Sequence, residues 1–203
     1  MPRPMPIALL LLLGCLASPA DGHPDERPSA ESAKKEGESF VATVIGGANM
    51  RMPGGGTFTI TMTVERWTTP EEIRKLVATL KERGKKALLE ELRAMKAGFV
   101  RPPAFARWPS WEVDVATTFE GPEGRVVRLF TERPIAFEEA YFNTRSKDFE
   151  FGVVELVIGK DGKGTGAVVP AAKVDFDAEG KLEFETTPFA TGPYKLMGVG
   201  RLE

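Results

Sequence analysis

The sequence predicts a mostly β fold, an antiparallel β-barrel or β-sandwich with one inserted helical hairpin. Three observations carry that expectation. In TFTITMTVERW, Phe58, Ile60, Met62 and Val64 alternate strictly with Thr57, Thr59, Thr61, Thr63 and Glu65, the period of a strand with one dry and one wet face. Similar runs recur between turn signals every roughly eight to twelve residues, as in all-β sandwiches and barrels. A single stretch, about 70–97, switches instead to the helical spacing of apolar residues.

The chain of 203 residues is sized for one domain plus appendages. Its start reads as a secretory signal over 1–20: Arg3, then the apolar run Ile7–Leu13, too short to span a bilayer as a helix. Two processing modes compete. One cleaves after Ser18-Pro19-Ala20, near 20/21. The other cleaves at 14/15 in Leu12-Leu13-Gly14-Cys15, which is similar to a bacterial lipobox except for Leu13. The second mode makes Cys15 a lipid-bearing residue and gives the chain its only route to a membrane. Residues 21–38 are rich in proline, serine and charge, so they read as a flexible tether. The folded domain is expected over 39–203.

SFVATVIGG (39–47) predicts the first strand, and ANMRMPGGG joins it to the threonine-rich second. Helical punctuation follows. Thr69 and Glu72 form a capping box with Pro70 at the first helical position. Ile73, Leu76, Val77 and Leu80 make one apolar stripe, and Gly84 ends the helix. KKALLEELRAMKAG predicts a second helix with Leu88, Leu89, Leu92 and Met95 inward, stopping at Gly98. The outer cations of this hairpin, Arg74, Lys75, Lys81, Arg83, Lys85 and Lys86, are interleaved with Glu71, Glu82 and Glu90, which reads as a solvated, ion-paired face.

WEVDVATTFE alternates again, with Trp111, Val113, Val115 and Phe119 on one side and Glu112, Asp114 and Glu120 on the other. RVVRLFT (125–131) follows a Gly121–Gly124 turn. FGVVELVIG (151–159) is apolar on both faces except Glu155, so it reads as a central strand. GKDGKGTG (159–166) resembles a phosphate-gripping loop, but Lys163 is followed by Gly164 and a β-branched run rather than by Ser or Thr and a helix. It reads as a hairpin turn built on Asp161-Gly162. GAVVPAA (166–172), KVDFD (173–177), KLEFET (181–186) and YKLMGV (194–199) complete the strands, with a second turn at Asp177–Gly180.

The inventory narrows the chemistry. The only cysteine, Cys15, and the only histidine, His23, both precede the folded part. Disulfides, Ser–His–Asp and Cys–His nucleophiles and His/Cys zinc sites therefore have no residues there. No cofactor and no metal are expected. A net charge of −2 gives no global basic surface for nucleic acid.

Two segments concentrate aromatic and polar residues. GFVRPPAFARWPSW (98–111) holds Trp108 as a stacking surface with Arg101 and Arg107 as anion-gripping groups, and Trp111 at its end. ERPIAFEEAYFNTRSKDFEF (132–151) interleaves Phe137, Tyr141, Phe142 and Phe149 with Glu138, Glu139, Asn143, Arg145 and Asp148. It reads either as a plug for a barrel end or as an aromatic pocket with polar groups. The candidate ligand-binding residues are Arg107, Trp108, Trp111, Phe137, Tyr141, Phe142 and Arg145.

VERWTTPEE, RLFTERPIAF and RSKDFEFGVVEL together resemble a family of exported bacterial proteins of unknown function. The resemblance implies a shared fold and export, and assigns no site. The expected function is a non-enzymatic binding protein of the cell envelope, periplasmic, membrane-anchored or secreted, for a small apolar or amphipathic ligand. One alternative is a structural or adaptor protein that meets another envelope protein. Another is a glycan hydrolase using two carboxyls roughly 5–9.5 Å apart.

Overall fold

Alternating apolar residues on successive strands roll into one antiparallel sheet in the computed structural model, which describes residues 37–45, 57–103, 110–133, 135, 151–176, 182–186 and 194–202. The elements in chain order are β1 Glu38–Ile45, β2 Thr57–Val64, α1 Pro70–Leu92, β3 Gly98–Arg101, β4 Trp111–Val113, β5 Val115–Gly121, β6 Gly124–Thr131, β7 Phe151–Ile158, β8 Gly164–Phe176, β9 Leu182–Thr186 and β10 Tyr194–Leu202. The sheet order is β4-β3-β2-β1-β10-β8-β7-β6-β5, with β9 also on β8. The two edges of that path, β4 and β5, are consecutive stretches of chain separated only by Asp114. The sheet thus curls into a nearly closed barrel, joined at its seam by the backbone itself.

The strands are steeply staggered. Gly98, the first residue of β3, lies opposite Val113, while Val115, two residues on, lies opposite Phe130 near the end of β6. Such stagger is what closing a sheet requires. Thr68 completes the seam: its N–H donates to the Ala116 carbonyl at 2.8 Å, and the Ala116 N–H donates to its hydroxyl at 3.0 Å.

The barrel interior is filled. Phe40, Ile60, Met62, Leu129, Leu156 and Leu196, from β1, β2, β6, β7 and β10, are among the largest fully buried side chains of the described residues. Burying each aliphatic or aromatic side chain of this kind contributes about 1.5–3 kcal/mol. In β2 the apolar set Phe58, Ile60, Met62 and Val64 faces in, as its alternation predicts.

A second cluster lies outside the wall. Leu76, Leu80, Leu88 and Leu92 of α1 pack on Val115, Phe130, Phe151 and Val153. This is why β7 is apolar on both faces: Val154 and Leu156 face the interior, and Phe151 and Val153 face the helices. α1 starts at the expected capping box, with Glu72 N–H donating to the Thr69 hydroxyl at 3.2 Å and Thr69 N–H to the Glu72 carboxylate at 2.8 Å. At Gly84 (φ 77°, ψ −178°) the helical backbone breaks, in a region that favours glycine. Glu91 then meets Lys75 at 3.3 Å and accepts from Thr79 at 3.1 Å. Residues so far apart on one straight helix would stand roughly 18–24 Å apart, so the two arms fold back on each other as a hairpin.

Several expectations are corrected. The second arm ends at Leu92 with Arg93 as its cap, and Gly98 opens a strand instead of closing a helix. Among the outer cations, Lys75 and Arg83 meet Glu91, and Arg74 meets Glu71. GAVVPAA and KVDFD form one long strand, β8. Alternation through WEVDVATTFE fails at Asp114: Val113 belongs to the interior cluster, Val115 to the helix-facing one, and Asp114 itself is 2% exposed. The hairpin reading of GKDGKGTG holds, with Gly159 N–H donating to the Lys163 carbonyl at 2.8 Å and Gly162 at φ +77°. The turn at Asp177–Gly180 lies outside the described residues.

Candidate functional site: the loop-bearing end of the barrel

The two ends of the barrel are built differently. At one end the strands reverse tightly, Gly121 facing Gly124 and Ile158 facing Gly164. Trp67 packs against the interior cluster there. Arg125 donates both terminal nitrogens to the Glu38 carboxylate at 2.8 and 2.9 Å and its Nε to Thr118 at 2.8 Å. Its guanidinium lies 5.2 Å from the Trp67 ring centroid. A bidentate pair over an indole makes a stiff polar plug.

At the other end, β1 leads to β2 through 46–56, β3 to β4 through 102–110, and β6 to β7 through 132–150. β9 leads to β10 through 187–193. β8 continues past Ala172, the partner of Phe151, to pair with β9. Both segments singled out from sequence therefore depart from the same end. Gly98–Arg101 is the exception within them, a strand in the wall, with the Arg101 guanidinium 4.3 Å from the Phe99 ring centroid.

Of the candidate ligand-binding residues, Trp111 is described. It opens β4 opposite Val100 and packs, half-buried, against the interior cluster. Arg107, Trp108, Phe137, Tyr141, Phe142 and Arg145 lie outside the described residues, as do Cys15, Glu138 and Glu139.

The first residues beyond β6 show how this end is covered. The Thr131 hydroxyl donates to the Arg133 carbonyl and accepts from Gly152 N–H at 3.1 Å. The Ile135 N–H donates to the Pro170 carbonyl at 2.8 Å. The chain therefore leaves β6, crosses the start of β7 and reaches β8. A Cβ on Gly152 would stand 2.5 Å from the Thr131 hydroxyl and 2.6 Å from Ile135, so glycine is what lets this strap pass. Ile135 is fully buried in the interior cluster. For these residues the plug reading of 132–151 fits.

The strap is also tied to an acid that sequence reasoning placed on the wet face. Glu132 N–H donates to the Asp114 carboxylate at 2.5 Å, and Asp114 N–H donates to the Phe130 carbonyl at 2.9 Å. Arg93, capping α1, donates to the Glu132 carboxylate at 2.9 Å, and that bond raises the Arg93 pKa. Burial pushes the Asp114 carboxyl up to about 7; the Glu132 N–H opposes this, the charges of Glu132 and Glu112 add to it, and Arg93 opposes it. Asp114 lies within the wall, out of reach of a bulky substrate such as a glycan. Its signal in the sequence was an aspartate, a poor strand former, inside a run of valines and threonines.

Elsewhere the titratable groups act on structure. Burial works to raise Glu72, but hydrogen bonds from Thr69 and Arg66 outweigh it and leave its carboxyl below the ordinary value. No cluster of three or more His, Cys, Asp or Glu fit for a metal occurs among the described residues. No protein-family model matches the chain, and no curated protein or solved structure is significantly similar to it.

Proposed function

We propose that this protein is an exported, non-enzymatic binding protein of the bacterial cell envelope, taking a small apolar or amphipathic ligand at the loop-bearing end of its barrel. The observation that carries this reading is the asymmetry of the two ends. One is sealed by tight turns and the Trp67–Arg125–Glu38 plug. The other gathers the long connections, including the aromatic-rich segments 102–110 and 132–150. Barrels of about eight strands are just wide enough to fill with side chains or to hold one small ligand, and the sheet path here has nine. The described interior is filled, which supports a ligand position at the rim, near Trp111, over one inside the barrel.

Native mass spectrometry of the protein from its own source tests this and reports any acyl mass on Cys15. The expected result is a co-purifying small molecule, with Trp111→Phe weakening its rebinding by roughly tenfold, about 1.4 kcal/mol. Protein that carries no ligand and shows no fluorescence response to added amphiphiles would overturn the reading.

A second reading, an adaptor that meets another envelope protein, is favoured by the wall on the side of β10, β1 and β2. The exposed large hydrophobics among the described residues, Ile45, Met197 and Leu202, all lie on β1 and β10. Next to them β2 presents Thr57, Thr59, Thr61 and Thr63. A sheet face that exposes apolar side chains beside threonines, with Lys195 and Arg201 among them, suits protein contact. Serine or lysine substitutions at Ile45 and Met197 that left partner capture intact would count against it.

A further inference from the structure

We draw no further inference here: the strongest candidate, the outward sheet face of β10, β1 and β2 on which Ile45, Met197 and Leu202 are exposed beside the threonines of β2, carries nothing beyond the second reading above, because nothing in the structure shows what covers it.

Discussion

Asp114 makes the stability of the protein depend on pH in a direction opposite to most acids. Its folded pKa, about 7, lies above the unfolded value of roughly 3.9. The native state therefore holds this proton more tightly than the unfolded chain does. Stability from this residue is greatest below about pH 4 and declines as pH rises toward about 7, by at most about 4 kcal/mol. Urea denaturation at about pH 5 and about pH 8 is expected to show the wild type losing stability across that interval, and Asp114→Asn losing much less. Glu72 and Glu91 act in the usual sense, since both carboxyls are held below their ordinary values. Their contributions are present above the unfolded pKa and vanish in acid.

At the scale of elements, much was legible because local chemistry and long-range packing agreed. β2 reads correctly since each apolar residue at its alternating positions enters the barrel. α1 begins where Thr69, Pro70 and Glu72 say it should. The misreadings arose where tertiary structure overrode the local pattern. Asp114 was assigned outward because alternation was extended through a residue that is an irregularity in the strand. A glycine after an apolar stripe reads as a helix stop from sequence alone, yet pairing with β2 and β4 recruits Gly98 into a strand. Of the candidate site, the gathering of two aromatic segments at one end depends on strand order, which no local pattern encodes. The strap was half legible, as one of two readings of 132–151. The hairpin supplies a test at this scale. Leu88→Ala, in the cluster between α1 and β5–β7, should cost about 2–4 kcal/mol. The same substitution should expose the amides of α1 in hydrogen exchange before those of β1 and β2.

For the whole molecule, the meander order puts nearly every strand beside its sequence neighbour, and one long-range pairing, β1 with β10, joins the two ends of the domain. Ser39 lies opposite Leu202. The ends are therefore adjacent, and a short linker can join them while the chain is opened in the exposed Lys160–Lys163 turn. Such a circular permutant is expected to keep native-like β circular dichroism and a cooperative unfolding transition. Its failure to fold under conditions where the parent folds would contradict the β1–β10 pairing. Domains whose termini meet at the surface tolerate this rearrangement.

The position of Gly37 also sets where the described chain enters the barrel. It precedes β1 at the plugged end, beside Val64 and Glu65. The connections 46–56, 102–110 and 132–150 thus leave the barrel from the end opposite to the one at which β1 begins.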